Sequence, residues 1–198
     1  MSRLAGIDTR HLYLGVLLLV VVQRLAELAL ARRNARRLSA RGGIEAGAGH
    51  YPAMVAFHAA FLFACPLEVY LLRRPFLPAL AAAAAAALVA ATGLRIWAIR
   101  TLGPRWTTRV IVVPGEEPII AGPYRYLRHP NYLAVVIETI ALPLLHTAWL
   151  AALAAAAANG LILRARIRVE EAALSRASHY DQLFAGRPRL VPSGRGRA

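Results

Sequence analysis

Long apolar windows nearly free of charge alternate along this chain with short polar segments crowded with arginine. The apolar windows predict membrane spans over 12–31, 52–72 and 76–99, the last containing an unbroken alanine run at 81–87. After a polar stretch come two shorter windows, 132–145 and 148–163. A straight crossing of a ~30 Å hydrocarbon core needs about 20 residues. These two therefore predict a helical hairpin that barely crosses, bent near Pro143 and turned at His146-Thr147. The segment 164–184 then continues as an amphipathic helix. The expected fold is all-α: a polytopic membrane protein with about five transmembrane helices, the last two a short hairpin, plus a cytoplasmic C-terminal helix. One domain is expected over 1–192, with 193–198 a disordered tail.

Composition agrees with this pattern. Hydrophobic residues make up 58% of the chain, against roughly 45–50% in soluble domains. Net charge is +14, and all 24 basic residues are arginine. They cluster beside the apolar windows, as cytoplasmic loops do, so no nucleic-acid partner is implied. Segment 32–51 holds five arginines and one glutamate, 100–130 five and two, and 164–198 eight against Glu170, Glu171 and Asp181. Placing all three inside puts the N-terminus outside and the C-terminus in the cytoplasm; Arg73-Arg74 alone argues the other way. Gln23, Arg24 and Glu27 interrupt the first window, which favours a retained helix over a cleaved signal peptide. Cys65 is the only cysteine, and the histidines show no metal spacing, so neither a disulfide nor a metal is expected.

The run 121–132, AGPYRYLRHPNY, places stiff, polar sequence directly against an apolar window. Pro123 fixes its own φ, and Pro130 holds His129 out of helical geometry. Pro130 suits the first position of the following helix. That helix start, with Arg125, Arg128 and His129, favours an anionic group. Two readings stand side by side: a rigid pocket for a polar ligand, or an interfacial belt anchoring a helix. Downstream, Arg166 and Glu170 are four apart and share a helix face, and Arg168 and Glu171 are three apart. Within the spans, Glu138 must turn inward, since a lipid-facing carboxylate costs several kcal/mol. It either lines an acceptor tunnel or pairs with Arg95. His58 and Glu68 are expected to be satisfied within the protein. Trp106 and Arg109, in GPRWTTR, are further candidates for substrate contact.

Taken in order, GPYRYLRHPNY, a hairpin-sized gap and RIRVEE…HY…RPRLVP resemble the isoprenylcysteine carboxyl methyltransferase family over about 100–192. The N-terminal half looks closer to a bacterial branch associated with alkylpyrone methylation, which implies the bacterial inner membrane. The resemblance implies S-adenosylmethionine bound from the cytoplasmic side. It assigns the cofactor to Gly122, Pro123, Tyr124, His129, Pro130, Tyr132 and Glu170, with Tyr180 completing a lid. It makes Arg166 and Glu171 the catalytic pair nearest the acceptor. The acceptor itself would be a lipophilic molecule entering from the membrane lipids, with no obligate protein partner. Ala134 and Leu183 stand where the family often has Gly and Tyr, which turns the reading from a prenylated cysteine towards an enolic or carboxylic oxygen. A carboxylate on a lipidated thiol is the alternative acceptor, and a small transporter or membrane scaffold the alternative of another class.

Overall fold

A computed structural model describes residues 3–4 and 7–190; the expected tail at 193–198 lies outside them. Six helices carry the fold: α1 (Thr9–Ala40), α2 (Tyr51–Leu71), α3 (Pro78–Leu102), α4 (Pro130–Leu144), α5 (Trp149–Ala177) and the single turn α6 (Tyr180–Leu183). Two small antiparallel pairs join β1 (Arg3–Leu4) to β2 (Ile7–Asp8) and β3 (Ile44–Ala46) to β4 (Val110–Val112). Among the described residues α1, α2, α3 and α5 are long and apolar enough to cross a membrane, while α4 is a shorter apolar helix. Large apolar side chains such as Phe63, Val89 and Leu161 stand 77, 73 and 72% exposed on these helices. Such a surface requires lipid, and the chain is an integral membrane protein.

The last two predicted windows differ from expectation in one respect. The turn does fall at His146-Thr147, where Thr147 takes φ 54 and donates its hydroxyl to Pro75 O at 2.5 Å. But 148–163 is not a short arm. It joins the expected amphipathic segment as one unbroken helix of 29 residues, about 44 Å long, which ends at Ala177 and not at 184 because Ser178 is extended. Residues 164–177 contain neither Gly nor Pro, so the hydrogen-bond ladder continues although the apolar window has ended. By contrast, α4 has 15 residues, about 22 Å, short of the hydrocarbon thickness.

The helices are held at both ends. Asp8 caps α1 by accepting from Arg10 N at 3.0 Å. Helix α5 has only Ala148 at its cap position, which offers no side-chain acceptor. Glu68 on α2 supplies one: its carboxylate accepts from Leu150 N at 3.1 Å and Ala151 N at 2.6 Å, and pairs with Arg74 at 2.7 Å. A buried acid in a span is thus matched to a helix N-terminus and a cation. At this same end Thr9 Oγ1 lies 3.1 Å from His146 Nε2. The opposite end is broader. There the β3–β4 pairing ties the α1–α2 loop to the α3–α4 loop, and Asn34 donates to Trp106 O at 2.9 Å. In between, α4 packs along α3 on one side and α5 on the other. Every long connection gathers at the broad end, where the polar run lies.

Candidate functional site

The polar run opens as a 3-10 turn, Gly122–Arg125. Gly122 has φ 53, and a Cβ there would stand 2.4 Å from Thr101 Oγ1, so the turn requires glycine. It directs Tyr124 inward, 7% exposed, and leaves Arg125 and Tyr126 at the surface. His129 then takes φ −131 ahead of Pro130 at the first position of α4.

From α4 and α5 the two sequence motifs meet. Tyr132 Oη donates to Glu170, 38 residues away in the chain. The same oxygen accepts from Arg166 Nε at 2.7 Å, and Arg166 Nη2 donates to Thr108 O at 2.7 Å. The His129 ring stacks on Tyr132, centroids 5.3 Å apart, and its Nε2 lies 3.1 Å from Glu171 Oε1. The expected catalytic pair is therefore divided. Arg166 belongs with Tyr132 and Glu170, whereas Glu171 is held by His129 and by Arg189 Nη2 at 2.6 Å. Adjacent helical residues point about 100° apart, so only one glutamate can face Arg166's neighbours. Arg168, its expected partner three residues earlier, is exposed.

Glu171 instead fastens the C-terminal strap. Arg128 N and His129 N donate to Pro188 O and Arg189 O at 2.9 and 3.0 Å. Arg128 Nε donates to Arg187 O at 2.8 Å, and Arg187 Nη1 to Tyr124 O at 3.0 Å. The Arg189–Glu171 hydrogen bonds hold the Arg189 guanidinium above its ordinary pKa. Sequence reasoning missed the grip of this strap; its signal was RPR, two arginines flanking a helix-breaking proline.

A cavity of about 510 Å³ runs behind this network, within the range of small-molecule sites. Tyr124, His129, Tyr132, Glu170, Tyr180 and Phe184 line one end; Trp106, Arg109 and Arg166 also border it. The other end lies among the spans and is lined by Arg24, Glu27, His58, Arg95 and Glu138. Gly122, Pro123, Pro130 and Glu171 are absent from its wall: the first three shape the turn and the start of α4, and the fourth holds the strap. Arg109 is already engaged, with Glu45 at 2.9 Å and over the Tyr51 ring at 4.6 Å. Glu138 meets both expectations for it. It lines the cavity, and it pairs with Arg95, with Arg95 Nε at 3.1 Å, and with Arg24 Nη2 at 2.9 Å.

The first end has the character of a site for an organic cation. Glu170 offers a carboxylate 27% exposed, and Tyr124, Tyr132, Tyr180 and Phe184 offer ring faces. Tyr180 Oη is buried with no partner in hydrogen-bond geometry among the described residues; Arg128 stands 6.0 Å from its ring centroid. Burial, then the charges of Glu171 and Glu170, pushes the Tyr180 phenol up, so it remains a donor at neutral pH. Burial likewise raises Tyr124, with Glu170 adding to the effect.

Residues 83–176 match the model of the isoprenylcysteine carboxyl methyltransferase family. The chain is also 36% identical over 161 residues to the uncharacterized protein YpbQ of Bacillus subtilis (strain 168), covering 81% of this chain and 95% of that one. The chain belongs to the isoprenylcysteine carboxyl methyltransferase family. An uncharacterized protein of Haemophilus influenzae (strain ATCC 51907 / DSM 11121 / KW20 / Rd) is 29% identical over 157 residues, 79% of this chain and 91% of its own. The isoprenylcysteine carboxyl methyltransferase match begins inside α3 and ends one residue before α5 does. It therefore contains the Tyr132–Glu170–Arg166 network together with Arg95 and Glu138. Arg24, His58 and the strap at 187–189 lie outside it.

Proposed function

We propose that this protein is an S-adenosylmethionine-dependent O-methyltransferase acting on a lipophilic acceptor dissolved in the membrane. The observation that carries the reading is the single cavity joining the Tyr132–Glu170–Arg166 network to the interior of the spans. The residues at the network end suit the cofactor: Glu170 and the aromatic faces for its cationic centres, and the unpartnered Tyr180 hydroxyl for its polar groups. Bound there, S-adenosylmethionine supplies a methyl group on a sulfonium sulfur, open to in-line attack by an oxygen nucleophile. This chain's own residues do the rest. Tyr132 fixes Glu170 through its hydroxyl proton. Arg166 has Nη1 without a hydrogen-bond partner among the described residues, and this group would hold the acceptor's oxygen in its anionic form. Tyr180, Phe184 and the strap exclude water, which alignment chemistry of this kind needs. An oxygen acid already ionised requires no general base.

The arginine-rich broad end favours an active site on the cytoplasmic face, with the C-terminus inside, the N-terminus outside and the bacterial inner membrane as the setting. The preferred acceptor is an acidic enol on a long-chain molecule, such as an alkylpyrone. The family's name favours a second acceptor, a carboxylate on a lipidated thiol such as an isoprenylated cysteine. The bond formed separates them. Membranes containing the protein are incubated with methyl-labelled cofactor and the extracted product is treated with mild alkali. The enol reading expects label retained in a base-stable ether; release as methanol from a labile ester overturns it in favour of the carboxylate.

A further inference from the structure

The membrane end of the cavity is unusually polar for a place meant to hold only a hydrocarbon tail. Glu138 and Arg95, both over 90% buried, already form a matched pair from α4 and α3. One such pair is sufficient to lock two helices together. Here α1 adds a second, Arg24 and Glu27, whose side chains remain 26 and 14% exposed and line the cavity. Ionisable groups in spans are costly and usually face a functional path. Arg24 uses Nη1 on Glu27 and Nη2 on Glu138, and its Nε has no hydrogen-bond partner among the described residues.

His58, on α2, lines the same end. Its Nδ1 lies 2.8 Å from Met54 O. A carbonyl only accepts, so Nδ1 carries the proton, and in the neutral ring Nε2 is an acceptor. That nitrogen has no hydrogen-bond partner among the described residues. The geometry points to a polar subsite within the membrane, in which a second hydroxyl of the acceptor donates to His58 Nε2 and its oxygen accepts from Arg24. Six residues separate Tyr132 from Glu138 on α4, about 9 Å along the axis. That distance accommodates one oxygen-substituted ring between the two ends of the cavity, its chain leaving sideways into lipid. The subsite selects for a ring with a second hydroxyl and against an acceptor whose only hydroxyl is the one methylated. Both residues lie outside the stretch matching the family, where a specificity element of this branch is expected.

This inference rests on the methyltransferase reading, and the test keeps the two apart. Detergent-purified full-length protein is loaded with S-adenosylhomocysteine and titrated with a long-chain 2-pyrone carrying two ring hydroxyls, one as the reacting oxygen and one to donate to His58. The wild type binds the pyrone saturably. His58→Leu weakens pyrone binding about tenfold, the scale of one lost hydrogen bond. His58→Gln recovers most of it, and nucleoside binding is unchanged in both. Arg24→Gln gives a loss of the same size. Wild-type protein that binds the nucleoside but not the pyrone overturns the subsite while leaving the methyltransferase reading intact. His58→Leu with pyrone affinity within twofold of wild type, or with nucleoside affinity falling in parallel, also overturns it. Failure of the wild type to bind the nucleoside instead counts against the methyltransferase reading itself.

Discussion

Arg166→Ala is expected to lower turnover by about 10²–10³-fold, the scale seen when a preorganised donor to a reacting oxygen is removed, while cofactor affinity changes by no more than a few-fold. The asymmetry follows from where its bonds go. Arg166 reaches Tyr132 Oη through Nε and Thr108 O through Nη2. Removing the guanidinium leaves Tyr132 still donating to Glu170, so the carboxylate assigned to the cofactor in the proposed function keeps its partner. What is lost is Nη1, which has no hydrogen-bond partner among the described residues, and the charge proposed to favour an ionised acceptor oxygen. Steady-state kinetics together with direct cofactor titration reads both quantities. Equal loss of binding and turnover would remove Arg166 from the acceptor side.

The second large effect is on stability. Glu138→Leu leaves Arg95, 6% exposed at its side chain, and Arg24 with Glu27 as their one carboxylate partner among the described residues, Arg95 keeping a neutral contact with Asn131. An uncompensated buried charge costs about 3–5 kcal/mol. Thermal unfolding in detergent should fall by roughly 10 °C or more, with reduced yield in membranes. Pairing the change with Arg95→Met removes the orphaned cation and should restore most of the loss. A single Glu138→Leu variant as stable as wild type would show that the cluster contributes nothing to the fold.

Much of this molecule is legible in its hydropathy, because lipid demands continuous apolar helices and turns fall where polar residues interrupt them. The α4–α5 turn at His146-Thr147 is one such case. The run of α5 past residue 163 is legible in the amphipathic spacing, but its end at Ala177 is not, since that spacing continues through the extended residue Ser178 into α6. At the site, spacing paired Arg166 with Glu170, while the resemblance to the family paired it with Glu171. In the structure Tyr132 bridges Arg166 to Glu170, and Glu171 is held by His129 and Arg189. The segment of the strap is visible as RPRLVP, but what it grips is not, because its hold on Arg128 and His129 is through backbone carbonyls that any residue provides. Glu68 is a similar case: an acid inside a span announces a partner, but the partner is the start of another helix 82 residues on.

The most direct test of the central claim is a calorimetric titration of the purified full-length protein with S-adenosylmethionine. Saturable binding is expected with a stoichiometry near one per chain, weakened at least about tenfold by Glu170→Gln through loss of its charge-assisted contacts. Absence of saturable binding to folded wild-type protein would contradict it.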